Sequence, residues 1–85
     1  MEKWTETDSE LKLTLKFKDF KVAWAFMNQV AIAAEELKHH PNWANVYNSV
    51  EIVLTTHDEG NTLTKKDYEL AAAINDILNS YDYKH

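Results

Sequence analysis

Apolar and polar residues alternate strictly over residues 11–17, which read Leu-Lys-Leu-Thr-Leu-Lys-Phe. Strict alternation is typical of a strand that buries one face, so the apolar residues of this segment are expected in the core. A shorter strand is predicted over residues 4–7. Asp8 and Ser9 form a predicted hairpin turn between the two strands, because both residue types are favoured in turns.

The next segment changes to the apolar spacing of a helix. Asp19 is a suitable N-cap, and Pro41 disfavours the α conformation at the residue before it, so the helix is expected from Phe20 to about Leu37, ending near His40. A second apolar set off the main stripe indicates a second partner for this helix, such as another subunit. The main stripe is Phe20, Ala23, Trp24, Met27, Val30, Ala31, Ala34 and Leu37, and the second set is Val22, Phe26 and Ala33.

The second half of the chain predicts two more strands and a final helix. Residues 43–47 and 50–56 are extended, with a turn at Asn48–Ser49, and residues 64–67 resemble a capping box. The order β-β-α-β-β-α predicts an α+β fold, a two-layer domain in which two helices cover one face of a four-stranded antiparallel sheet. The apolar face of the last helix is Leu70, Ala71, Ile74, Ile77, Leu78 and Tyr81.

The length of 85 residues fits one domain, residues 1–85, and 45% apolar residues suffice for a core. A core of this size is marginal alone, and the sequence has no Cys for disulfides or thiolate metal sites. We therefore expect a homo-oligomer, a dimer or a tetramer.

The net charge of −5 argues against nucleic acid as a partner, since nucleic acid is bound mainly through Lys and Arg. No stretch approaches the roughly 20 apolar residues of a membrane span. The first residues lack the apolar run of a signal peptide. The expectation is a cytoplasmic protein without a nucleic-acid or membrane partner.

Three of the four histidines lie between residues 39 and 57. His39 and His40 are at the end of the first helix, and His57 ends the fourth strand. The third strand runs against the helix direction, and the fourth runs with it if the chain turns at Asn48–Ser49. His57 is therefore expected at the same edge of the domain as the other two.

Clustered imidazoles are suited to proton transfer near neutral pH, and the C-terminus of a helix favours the imidazolium form. Glu35, four residues before His39, is positioned to orient that ring or to bind a substrate. On residues alone, other interpretations stay open: His at a helix end is often only a capping donor, His at a strand end is often plain surface, and imidazole is a common zinc ligand. Adjacent His residues point in different directions, so we predict no metal site.

A spaced set of residues carries a family resemblance: an acidic residue four before a His pair, the His-His-Pro run, an aromatic at Tyr47, then His57 and Asp67. These lie within residues 35–43, 45–48, 55–58 and 63–71. On the basis of these residues, the chain resembles the pterin-4a-carbinolamine dehydratase family. The resemblance covers the chain from about Trp4 to Ile77.

The resemblance implies dehydration of 4a-hydroxytetrahydrobiopterin to quinonoid dihydropterin, without a cofactor, in the recycling of tetrahydrobiopterin for an aromatic amino-acid hydroxylase. It implies that His39 and His57 exchange protons with the pterin and that His40 mainly binds and orients it. Asp67 is most simply a capping residue. The residues expected to bind the substrate are Glu35, Pro41, Trp43, Thr56, Asp58 and Glu59.

Two departures from the family pattern are visible. Members commonly carry a Gly-Gly pair before the last helix, whereas this chain has Gly60-Asn61-Thr62, which reads one residue longer. The chain also starts almost at the first strand, whereas some relatives have an added N-terminal helix.

Two other functions stay open beside the dehydratase. One is a protein-binding or dimerisation module without catalysis, like a coactivator or an assembly factor. The other is a pterin-binding protein without activity.

Overall fold

A computed structural model describes residues 3–85, apart from the side chain of Glu59. The chain folds in the predicted order β-β-α-β-β-α, with one additional short 3-10 helix before the last α-helix. The elements are β1 (Thr5–Glu6), β2 (Leu11–Lys16), α1 (Phe20–Leu37), β3 (Asn42–Val46), β4 (Ser49–Leu54), the 3-10 helix (His57–Glu59) and α2 (Lys65–Leu78).

The four strands form one antiparallel sheet in the order β1-β2-β4-β3. In β2 every second residue is buried, which confirms the interpretation of the alternating pattern. Leu13 of β2 lies opposite Ile52 of β4, and both are almost completely buried. Both helices lie on this apolar face, so the predicted two-layer α+β architecture is confirmed.

Helix α1 begins and ends through local capping. The Val22 amide donates to the Asp19 carboxylate at 3.0 Å, as expected of an N-cap. At the other end Lys38 adopts a left-handed conformation, and its amide bonds the last carbonyls of the helix. The helix therefore ends at Leu37, and His39 and His40 follow it in a non-helical segment rather than on its last turn.

The prediction of which face of α1 is buried was partly wrong. Trp24, assigned to the core, is 51% exposed, whereas Phe26, assigned to the second apolar set, is fully buried. Successive helical residues are about 100° apart, and the buried arc runs through Ala23, Phe26 and Val30. Trp24 lies on the flank of that arc, where a two-layer domain has no further layer to cover it.

The turn between β3 and β4 lies at Tyr47–Asn48, one residue earlier than predicted. Tyr47 takes a positive φ of 52°, which is uncommon for an aromatic residue and which no pattern in the sequence predicts. The reversal itself was predicted correctly. It brings the end of β4, and with it His57, back to the edge of the domain where α1 ends.

Helix α2 begins at the predicted capping box. The Asp67 amide donates to the Thr64 hydroxyl, and the Asp67 carboxylate accepts from the Thr64 amide at 2.9 Å. Leu70, Ala71 and Ile74 on its apolar face are completely buried. Within the described residues, neither helix is long and apolar enough to cross a membrane.

Candidate active site

The three histidines singled out from the sequence line one open cleft of about 210 Å³. The segment after α1 supplies two of them, and the 3-10 helix after β4 supplies the third. This shared position follows from the hairpin between β3 and β4. The lining residues are Lys38, His39, His40, Thr55, Thr56, His57, Asp58 and Lys66.

His39 is held by a buried carboxylate. Its Nε2 lies 2.6 Å from Oδ1 of Asp67, and the side chains are 10% and 0% exposed. A carboxylate accepts hydrogen bonds only, so Nε2 must carry the hydrogen. No described residue bonds Nδ1, and no buried nitrogen or oxygen of a described side chain lacks a partner. Nδ1 therefore retains contact with the cleft or with solvent.

The Asp67 carboxylate is the centre of a wider network. Its Oδ2 accepts from the Thr56 hydroxyl at 2.7 Å and from the Thr64 amide at 2.9 Å. Because the Thr56 hydroxyl donates to Asp67, it accepts in turn from the Thr64 hydroxyl at 2.7 Å. Burial raises the pKa of Asp67, but the hydrogen bonds from His39, Thr56 and Thr64 outweigh that effect and hold its pKa below the usual value.

Glu35 pairs with His40, not with His39 as the sequence spacing suggested. Its Oε1 lies 2.8 Å from Nε2 of His40. The i to i+4 argument assumed a continuous helix, and the left-handed Lys38 breaks that spacing before His39. Hydrogen bonds from His40 and Lys38 lower the pKa of Glu35. Both side chains of this pair are 65% exposed, so the pair is open to solvent and to a ligand.

His57 lies between two asparagine side chains. Its Nδ1 lies 2.8 Å from Oδ1 of Asn61, and its Nε2 lies 3.3 Å from Nδ2 of Asn42. His57 is exposed, as are both asparagines. Its surroundings differ from those of His39, because amides rather than a carboxylate contact the ring.

The residues predicted to bind a substrate divide into two groups. Thr56 and Asp58 line the cleft, although the Thr56 hydroxyl is engaged with Asp67 and Thr64. The other group, Glu35, Pro41 and Trp43, does not line this cleft among the residues that the structure describes. Trp43 lies opposite Ile52 in the sheet and packs against the core. The side chain of Glu59 lies outside the described residues.

Sequence reasoning missed three polar partners of the histidines: Asp67, Asn42 and Asn61. Asp67 was interpreted as a cap, and it is one, but its second carboxylate oxygen holds His39. Its place in the family pattern was the available signal. The two asparagines gave no signal, because their contacts depend on how the loop after His57 folds.

The arrangement supports transfer of protons at two separate rings. His39 contacts a buried carboxylate through one ring nitrogen, whereas both ring nitrogens of His57 contact neutral amides. Groups of three or more His, Asp or Glu side chains that could hold a metal ion do not occur among the described residues.

Sequence comparison identifies the class of protein. Residues 1–77 match the family described as Pterin 4 alpha carbinolamine dehydratase. The chain is 44% identical over 77 residues to a protein of Prochlorococcus marinus (strain NATL2A), covering 91% of this chain and 80% of the relative. It is 52% identical over 71 residues to one of Synechococcus sp. (strain WH7803), covering 84% and 75%. Both relatives are provisionally named pterin-4-alpha-carbinolamine dehydratases. The chain belongs to this family.

Solved structures agree with this assignment. A transcriptional coactivator/pterin dehydratase from Brucella melitensis superposes with a TM-score of 0.84 at 42% identity, covering 91% of this chain and 83% of that one. A pterin dehydratase-like RuBisCO assembly factor of the α-carboxysome superposes with a TM-score of 0.69 at 21% identity, covering 87% and 84%. The second likeness concerns the fold alone.

Proposed function

We propose that this protein dehydrates 4a-hydroxytetrahydrobiopterin to quinonoid dihydropterin and water. The observation that carries the proposal is the cleft itself, in which three histidines meet and one of them is held by a buried carboxylate. Membership of the family supports a pterin as the class of substrate. The biological setting that we propose is the recycling of tetrahydrobiopterin after an aromatic amino-acid hydroxylase has used it.

The reaction moves two protons and no net electrons. The 4a-hydroxyl leaves as water once it receives a proton, and we assign that delivery to Nδ1 of His39, whose Nε2 faces Asp67. The N5 proton passes to His57, and the electron pair of the N5–H bond forms the C4a=N5 double bond. The C4a–O bond breaks as this double bond forms. Solvent then returns the proton from His57 to His39, so the chemistry needs no cofactor.

The dimensions of the cleft suit part of the substrate. Its volume of about 210 Å³ is below the roughly 300–1,000 Å³ of pockets that enclose a drug-sized ligand. The bicyclic ring would therefore lie against the histidines while its side chain extends into solvent. His40, which lines the cleft, forms an exposed pair with Glu35, and this pair would bind and orient the ring.

Stopped-flow absorbance with chemically generated 4a-hydroxytetrahydropterin tests the proposal. Wild-type protein is expected to accelerate dehydration well above the rate in buffer, since general acid–base catalysis typically contributes about 10²–10⁴-fold. Calorimetric titration with a non-reacting tetrahydropterin distinguishes a failure to bind the pterin from a failure to catalyse its dehydration. Binding without acceleration would indicate a pterin-binding protein without activity, and absence of both would overturn the proposal.

A second candidate function is protein binding. The rings of Phe20 and Trp24 stack at a centroid distance of 6.2 Å on the outside of α1, and they are 46% and 51% exposed. Exposed aromatic pairs are typical of interfaces. The Brucella melitensis relative, described as a coactivator as well as a dehydratase, supports the same possibility here. This surface is separate from the residues that line the cleft, so both functions are compatible.

A further inference from the structure

The loop after His57 contains two consecutive residues with left-handed backbone. Gly60 has a φ of 78° and Asn61 a φ of 56°. Glycine adopts this conformation without cost, and asparagine tolerates it better than most other residues. Asn61 therefore adopts a left-handed backbone and also adds a side chain to the loop.

That side chain contacts the histidine directly. Oδ1 of Asn61 lies 2.8 Å from Nδ1 of His57, and Nδ2 of Asn42 lies 3.3 Å from Nε2 of the same ring. An amide oxygen only accepts and an amide nitrogen only donates. Both contacts are therefore satisfied by a neutral ring with its hydrogen on Nδ1 and its lone pair on Nε2.

We propose that Asn61 is a positioning residue that holds His57 in the Nδ1–H tautomer, so that Nε2 is the atom that takes a proton from the substrate. This inference rests on the proposed dehydration and assigns the accepting atom within it. Asn61 acts through His57 and does not touch the reacting atoms.

The unequal lengths of the two contacts fit this role. The bond to Asn61 is short, so it fixes the tautomer and the plane of the ring. The contact to Asn42 is long and exposed, so an entering substrate N–H can replace it at Nε2. After the transfer, Nδ1–H still donates to Asn61, and only the contact between Asn42 and Nε2 is lost. The bond to Asn61 is therefore retained throughout the proposed step.

His39 carries its hydrogen on the other ring nitrogen, so the two rings can take different roles in the proposed step. Its Nε2 carries the hydrogen because it faces the Asp67 carboxylate, and its Nδ1 is directed away from that partner. The two rings thus offer different nitrogens for the proposed exchange, Nδ1 of His39 and Nε2 of His57. A proton can leave at one position and be taken up at the other.

The variant Asn61→Gly tests the proposal because glycine keeps the left-handed backbone and removes only the amide. Two-dimensional ¹⁵N–¹H NMR of the histidine rings, without substrate, reports which nitrogen carries the hydrogen. Wild-type His57 is expected as the Nδ1–H tautomer, and Asn61→Gly is expected to give a mixture with the Nε2–H form. The signals of His39 and His40 should not move. A wild-type His57 that carries its hydrogen on Nε2, or one unchanged in Asn61→Gly, would overturn the proposal.

Kinetics supply the second readout. In Asn61→Gly, kcat is expected to fall at least about tenfold with little change in KM, up to the roughly 10²–10⁴-fold that a proton-transferring residue contributes. Asn61→Asp keeps an acceptor and should restore the Nδ1–H signal. Asn79→Gly, at an exposed asparagine after α2, controls for the added glycine. An unchanged kcat in Asn61→Gly would overturn the catalytic part, whereas an inactive wild type with the expected tautomer would overturn only the dehydratase function.

Discussion

Asp67 serves the fold and the site with the same carboxylate. One oxygen closes the capping box of α2 and accepts from Thr56, and the other holds His39. The residue is completely buried, so each of these contacts replaces hydration that the carboxylate has lost. The position of His39 is therefore coupled to the start of α2.

Replacing Asp67 with Asn should destabilise the protein while keeping its shape. A charge-assisted hydrogen bond to a buried carboxylate contributes roughly 1.5–3 kcal/mol. We therefore expect the free energy of unfolding to fall by about 1.5–3 kcal/mol in Asp67→Asn. Urea denaturation at neutral pH measures the loss. Asp76→Asn, an exposed aspartate on the same helix, is the control and should change little. Equal stability of both variants and wild type would contradict the network.

The lowered pKa of Asp67 predicts the direction of its pH dependence. A carboxyl whose pKa is lower in the folded state stabilises fully above its unfolded pKa of about 3.9, and the contribution is lost as pH falls through the folded value. The stability gap between wild type and Asp67→Asn should therefore shrink as pH falls from about 4 through the folded value. Urea denaturation across this range would contradict the account if the gap widened on acidification.

The contacts of a residue could be predicted from the sequence where local spacing determines them, and could not be predicted where the conformation of a loop determines them. The capping box of Thr64 and Asp67 is a short-range pattern and was predicted correctly. The partner of Glu35 was predicted wrongly, because a left-handed Lys38 ends the helix before His39. The bond from His57 to Asn61 depends on loop dihedrals that no periodicity encodes.

At the scale of elements, α1 was predicted well in extent and poorly in orientation. Its start at Phe20 and its end at Leu37 follow from Asp19, the apolar spacing and the approaching proline. The helix has apolar residues on several sides, so spacing alone does not determine which side is buried. That choice depends on the order of the strands and on the packing of α2 beside α1, which are long-range features.

Alanine substitutions on α1 test the corrected orientation. Phe26→Ala is expected to cost roughly 3–5 kcal/mol of unfolding free energy, because Phe26 is fully buried and its loss leaves a cavity. Trp24→Ala, at a larger but half-exposed side chain, should cost at most about 1 kcal/mol. Thermal and urea unfolding of both variants provide the comparison. A larger cost for Trp24 than for Phe26 would contradict the orientation described here.

At the scale of the whole molecule, we propose that copies of this chain associate. Phe20 and Trp24 leave a stacked aromatic pair exposed on α1, and β3 is an edge strand whose last residue, Val46, is 75% exposed. A domain of this size gains from further burial. The predicted partner face was Val22, Phe26 and Ala33, but Phe26 is in the core, so the proposed surface moves to Phe20 and Trp24.

Sedimentation velocity at micromolar concentration tests this association. Wild type should sediment as a species larger than the 9.9 kDa monomer. Phe20→Lys combined with Trp24→Lys should shift the protein toward monomer, because two charges would have to be buried in the interface. Thr14→Lys, on the open face of the sheet, controls for the added charge. A purely monomeric wild type would contradict the proposal.

The dehydration rate of a double variant tests the central claim, that this histidine cleft catalyses the reaction. Stopped-flow absorbance compares wild type, His39→Ala with His57→Ala, and His85→Ala, whose histidine is outside the cleft. Wild type and His85→Ala are predicted to accelerate dehydration equally, and the double variant is predicted to lose most of that acceleration. A folded double variant that retains the wild-type rate would contradict the account.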